Sequence, residues 1–187
     1  CCMQLSLKRN LLVGFGISLL ILITSSVASY ISINNLLKSA ALVNHTNTVV
    51  QKLEQTLSVM KDAETGQRGF LLTGKDEFLE PYSGSYEQVI TLIKDIKILT
   101  EDNGIQQEKI AKLDQIIKKR FSRMQALIDE KKANNQLELS DLQSGKFFMD
   151  TVRIRVGNMK TDESVLLKPR TDNPPSSASN PHFLINV

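Results

Sequence analysis

The chain has 187 residues, 41% of them hydrophobic, which is enough for one membrane segment and one folded domain. Its 23 basic and 20 acidic residues are interspersed and sum to a net charge of +3, so no basic block marks nucleic acid as a partner. Aromatic residues make up 5%, Trp is absent and Gly and Pro are few, which disfavours a β-sandwich and suits long helices packed through Leu, Ile, Val and Met.

The only cysteines, Cys1 and Cys2, are adjacent and cannot staple a domain across a loop. Met3 offers a translation start, in which case the cysteine pair lies upstream of it. Leu11 to Ile33 carries no charge. As a helix it reaches roughly 34 Å, enough for a hydrocarbon core of about 30 Å. Lys8 and Arg9 precede it and the next basic residue is Lys38, so the positive-inside rule leaves residues 1–10 in the cytoplasm and everything after Ile33 outside. A cleaved signal peptide is the competing reading, with Val27, Ala28 and Ser29 as small residues near a cut. The apolar stretch exceeds the usual h-region of about 7 to 15 residues and helical patterning continues past it, which favours an uncut anchor. The location this implies is the cytoplasmic (inner) membrane of a bacterium, crossed once.

Beyond the span, Leu36, Val43, Val50, Leu57 and Leu71 form one seven-residue row, with Leu53 and Met60 in a companion row three residues on. This predicts a long helix from about Asn34 to Thr73, closed by Gly74. Asp76, Glu77 and Pro81 supply helix-start chemistry, and Tyr82, Tyr86, Val89, Ile93 and Ile96 make the stripe of a second helix. Asn103, able to cap, and Gln106, able to reach back, open a third helix with the stripe Ile110, Leu113, Ile117, Phe121, Met124 and Ile128. Lys118, Lys119, Arg123, Asp129 and Glu130 fall mostly on its wetted side. Asn134-Asn135-Gln136 ends it, and Ser140 with Gln143 offers a capping box before the stripe Phe148, Val152, Val156, Met159 and Leu166. Lys168-Pro169 closes this fourth helix, and residues 171–187 read as a Pro- and Ser-rich disordered or aberrant tail. The expected fold is all-α, with an N-terminal transmembrane helix at 11–33 continuing into an antiparallel up-down four-helix bundle at 34–170.

Two polar residues, Glu64 and Gln67, continue the core rows of the first helix where Leu or Ile is expected, and two glycines, Gly66 and Gly69, sit beside them at a cost of roughly 1 to 2 kcal/mol in a helix interior. Glu163 continues the stripe of the fourth helix, flanked by Arg153 and Arg155. One reading makes Glu64, Gln67, Arg68, Arg153 and Glu163 a buried network between helices that fixes register. Another lets them, with Asp62, face a cavity or a partner and bind a small ligand, Arg68 being the natural fork for a carboxylate or phosphate. A solvated patch is the third.

The run Asp62-Ala63-Glu64-Thr65-Gly66-Gln67-Arg68-Gly69-Phe70-Leu71-Leu72-Thr73-Gly74 resembles the signature of the third class of CHASE domains, the cyclase and histidine-kinase associated sensory extracellular modules. Phe78-Leu79 with Tyr82, Leu99-Thr100, Asp102-Asn103 with Gln106, Gly145-Lys146, Met149-Asp150, Arg153, Glu163, Leu166, Leu167 and Arg170 agree in order and spacing. The resemblance spans residues 36–170 and departs at Gly104, where the family often has proline. It marks Thr65, Gly66, Gly69, Gly74, Asn103, Gln106 and Arg170 as signature positions. It implies a periplasmic or extracellular bundle that dimerises and turns a stimulus into helix movement. The family usually continues into a second membrane helix and a histidine kinase, cyclase or chemotaxis output domain. None follows Arg170 here, so the expectation is an input half whose reading frame is cut short.

The functional expectation is therefore the sensory domain of a membrane receptor, whose partners are the membrane, a second copy of itself, and a small molecule or protein as stimulus. The alternative is a membrane-anchored helical bundle that pairs with a complete receptor and senses nothing itself. No enzyme, cofactor or metal is expected: His45 and His182 are isolated, and there is no Glu-x-x-His pair, phosphate-cradling Gly loop or Ser-His-Asp set.

Overall fold

The computed structural model describes residues 2–134 and 139–172, with side chains over 8–133 and 145–165. Four α-helices account for nearly all of it: α1 (Cys2–Thr73), α2 (Ser85–Leu99), α3 (Gly104–Asn134) and α4 (Leu139–Asp172), with a short 3-10 turn at Asp76–Leu79. There is no strand among the described residues. The proposed turn at Asn135-Gln136, the side chains of the Ser140 and Gln143 box, and the tail beyond Asp172 lie outside what is described.

The N-terminal part of α1 is long and apolar enough to cross a membrane, with a mean hydropathy of 2.3 in its best window. Its large apolar side chains between Leu11 and Ile33 are 50 to 74% exposed, so this stretch is not the core helix of a soluble fold. The helix assignment is unbroken across Asn34-Asn35.

The bundle is the compact unit Asn44–Pro169. Its direction follows from contacts between chemically matched pairs. Lys52 on α1 pairs with Asp95 on α2, while Gly66 further along α1 lies against Pro81, which precedes α2, so α1 and α2 are antiparallel. Glu64 and Gln67 on α1 meet Arg120 and Met124 on α3 in the same order, so these two run parallel. Gln106 on α3 reaches Met159 on α4 while Arg120 lies against Gly145, which reverses direction again. The topology is up-down-up-down, as short connections demand.

The core holds Val49, Leu53, Met60 and Ala63 from α1, Val89, Ile93 and Ile96 from α2, Ile110, Leu113, Ile117, Phe121 and Met124 from α3, and Met149, Val152, Val156 and Met159 from α4. The row Leu53, Met60, Gln67 is buried as expected, but the companion row is not the one beginning at Leu36, which is 69% exposed. Val50 and Leu57 are only half-buried, whereas Glu64 and Leu71 are buried, and Val49, Thr56, Ala63 and Phe70 complete the seam. A straight helix of 3.6 residues per turn rotates about 20° per heptad against a 3.5 repeat, and that rotation carries this row from the rim inward.

Two helix ends differ from expectation. Residues 80–84 are turn, Gly84 adopts φ 73°, and α2 begins at Ser85, so Pro81 and Tyr82 precede the helix instead of starting it. Glycine tolerates that left-handed conformation, and the turn brings Tyr82 back over α3, where its hydroxyl donates to Gln125 Oε1 at 3.0 Å. At the other end α4 continues through Pro169 to Asp172. A proline this close to a terminus removes one backbone bond without stopping the helix.

Candidate functional site

The signature segment of α1 is shaped by close approach. A Cβ on Gly66 would sit 2.7 Å from the Phe78 carbonyl oxygen and 3.2 Å from Pro81, and one on Gly69 would sit 2.6 Å from the Phe78 ring. The segment after α1 is thereby laid directly on its backbone, and this contact offsets the helix-propensity cost of the two glycines. Gly74, with φ 72°, ends the helix, its N–H donating to Phe70 O at 2.7 Å. Thr65 is exposed and its hydroxyl donates back to Lys61 O at 2.8 Å.

One turn away, Glu64 is 6% exposed and faces two guanidinium groups, accepting a hydrogen bond from Arg120 Nη2 at 3.2 Å and forming an ion pair with Arg68 Nη2 at 2.9 Å. The two arginines are unlike. Arg68 is half in water, with its side chain 51% exposed, whereas that of Arg120 is 2% exposed and lies flat against Gly145, whose absent Cβ would stand 3.1 to 3.3 Å from the guanidinium. Burial lowers the Arg120 pKa, Glu64 works against that, and the charge of Arg68 adds to the lowering. Arg120 Nε and Nη1 have no hydrogen-bond partner among the described residues. Three helices, α1, α3 and α4, therefore converge on one charged triad.

Gln67, 2% exposed, points elsewhere and donates to Met124 O at 3.3 Å. Glu163 belongs to a second cluster, separated from Glu64 by the length of α1 between Thr46 and Glu64, about 27 Å at 1.5 Å per residue. It is 5% exposed, and burial raises its carboxyl pKa, opposed by the nearby charge of His45 and by the Gln106 and Thr46 side chains, with Asp102 adding to the rise. Gln106, 1% exposed, donates its Nε2 to Met159 O at 3.3 Å. Its backbone N–H is capped by Asn103 Oδ1 at 3.1 Å. The reciprocal half of the capping box does not form, because the Gln106 side chain is drawn into the core.

The remaining candidates stand apart. Arg153 pairs with Asp150 at 2.7 Å, both about 45% exposed, and touches neither cluster. Asp62 is exposed on the wall of a shallow depression shared with Val59, Thr65, Pro81 and Gln88. The Arg170 side chain lies outside the described residues. Sequence reasoning missed Arg120, which falls in line with the apolar stripe at Leu113, Ile117 and Met124 but was hidden in the basic run Lys118-Lys119-Arg120. The signal available was the spacing: Ile117 and Met124 flank it at three and four residues. A depression of about 440 Å³ lies between α2 and α3 against Tyr82, Tyr86, Phe121, Ser122 and Gln125. Tyr86 and Phe121 meet edge to face there, with ring centroids 5.2 Å apart.

What the geometry offers is a set of buried charges that tie helices together, with neither a nucleophile beside a base nor a ligand set for a metal among the described residues. No curated protein and no solved structure gives a significant match. The family model of the CHASE3 domain matches residues 39–173, which takes in the whole bundle, both glutamate clusters and the glycine-bearing segment of α1. The chain belongs to the CHASE3 domain family, the sensory extracellular domains of signalling receptors.

Proposed function

We propose that this chain is the extracytoplasmic input module of a membrane receptor of the histidine kinase, cyclase or chemotaxis type, anchored by residues 11–33 and converting a stimulus into movement of one bundle helix against another. The observation that carries the reading is the family match over residues 39–173 on a chain whose first helix also contains a charge-free span with every large side chain exposed. The Glu64, Arg68 and Arg120 triad supports the mechanism. A buried glutamate between a wet arginine and a dry one has two charge partners on different helices, so a shift of α1 against α3 trades one for the other. Packed helices favour discrete alternatives of this kind over gradual deformation, and a stimulus acts by binding one packing better than the other.

The test of sidedness is labelling of the full chain in bacterial membranes with a membrane-impermeant maleimide. Cys1 and Cys2 are replaced by serine and one cysteine is placed at the exposed Ser122. Labelling in intact spheroplasts is expected. Protection until the cells are lysed overturns the outward orientation.

A further inference from the structure

Four glycines lie inside the bundle helices, and three have a neighbour that needs them: Gly66 and Gly69 face Phe78, and Gly145 faces Arg120. Gly157, in the middle of α4, meets nothing within 4 Å. An interior helix glycine costs about 1 kcal/mol against alanine, and no contact among the described residues explains it.

Gly157 borders a row on the outer face of α4 that carries no charge: Phe147, Thr151, Ile154, Asn158, Thr161 and Val165, spaced alternately by four and three residues. Phe147 is 69%, Ile154 63% and Val165 55% exposed, while the opposite face of α4 supplies Met149, Val152, Val156 and Met159 to the core. The hydroxyls of Thr151 and Thr161 are spent on the helix's own carbonyls, so they present methyl groups outward. This is the spacing of a coiled-coil seam, which puts Ile154 at a d position and Asn158 at an a position, where asparagine favours a two-stranded pairing in register. The flanks add charge complementarity. Among the described residues Arg155 pairs with no carboxylate, and its Nε is buried without a hydrogen bond. In a parallel pair the position facing Arg155 of a second copy is Asp150, a half-exposed carboxylate that Arg153 of its own helix also pairs with, and the following flank position is the bare Gly157, which lets the helices close.

We infer that the outer face of α4 is the surface on which a second copy of this chain docks, parallel and in register along the row from Phe147 to Val165, with Asp150 of each copy beside Arg155 of the other. The parallel direction rests on the proposed anchoring, since two copies held in one membrane point the same way. The pairing itself does not.

The test is oxidative cross-linking of the full chain in membranes, without Cys1 and Cys2, carrying one cysteine at Phe147, Ile154 or Ser122. Disulfide-linked dimer is expected from Phe147→Cys and Ile154→Cys and none above background from Ser122→Cys, which is exposed on α3. Cross-linking at Ile154 without Phe147 overturns the parallel register, and equal yields at all three positions, or none at Ile154, overturn the surface. Gly157→Leu is expected to leave the melting of the bundle unchanged and abolish the Ile154 cross-link. Arg155→Asp is expected to lower that yield several-fold, with recovery in the Asp150→Arg, Arg155→Asp pair. A lack of recovery overturns the assigned register. Should maleimide labelling place Ser122 inside the cell while these cross-links form, the anchoring fails and the docking surface stands; the reverse outcome separates them the other way.

Discussion

Replacing Arg120 by alanine is the perturbation that most directly tests the internal logic of the bundle. The wild-type guanidinium is almost wholly buried and donates to a glutamate that is itself 6% exposed. Removing it leaves Glu64 with only the half-exposed Arg68, and stranding a buried charge costs about 3 to 5 kcal/mol. For a bundle of this size each kcal/mol moves the melting temperature by about 3 to 5 °C, so Arg120→Ala is expected to melt roughly 9 to 25 °C below the parent. Arg68→Ala removes the solvent-screened partner and is expected to cost about 1 kcal/mol or less. The double variant Glu64→Leu, Arg120→Leu takes away both buried charges and is expected to recover most of the loss. The assay is thermal melting of the full chain in detergent, followed by circular dichroism at the helix band. Arg120→Ala melting within about 2 °C of the parent, or a double variant as unstable as the single, would refute the claim that a dry ion pair ties α1 to α3.

Three further outcomes follow from the same contacts. Because burial raises the Glu163 pKa, the folded state prefers the neutral acid: its favourable contribution is complete below the ordinary carboxyl value of 4.5 and is lost as pH rises through the higher folded value. Glu163→Gln is therefore expected to melt above the parent at neutral pH and to converge with it under acid conditions, which paired melts across that range measure. Alanine at Gly66 drives a Cβ into a backbone oxygen that cannot rotate away, whereas at Gly69 it meets an aromatic ring that can; both should destabilise, by about 1 to 3 kcal/mol in urea unfolding, with Gly66→Ala the worse. Asn103→Ala removes the acceptor for the Gln106 N–H and should cost about 1 kcal/mol, read as faster hydrogen exchange in the first turn of α3.

Helix periodicity made the four rods legible because each has to bury one face, and a face recurs every 3.6 residues whatever its neighbours are. Hence the stripes on α2, α3 and α4 hold for Val89, Ile93, Ile96, Ile110, Leu113, Ile117, Val152, Val156 and Met159, all buried. Glu64, Gln67 and Glu163 were visible for the same reason, as polar residues on apolar rows. Their partners were not. Arg153 stood near Glu163 in sequence and lies outside its cluster, while Arg120, on a different helix, supplies the dry cation for Glu64.

The amino-acid sequence by itself determined that this protein is helical, where a charge-free span of membrane length lies, and which family its glycine-bearing segment places it in. Those properties are local: they depend on residue types at fixed spacings along one strand of chain. Only the tertiary structure decided that Gly66 and Gly69 seat Phe78, that Gly145 makes room for Arg120, and that Gly157 makes room for nothing among the described residues of its own chain. Such contacts join residues on different elements of the fold, and a glycine in a helix is a cradle, a clearance or a bare surface according to which neighbour the fold brings to it.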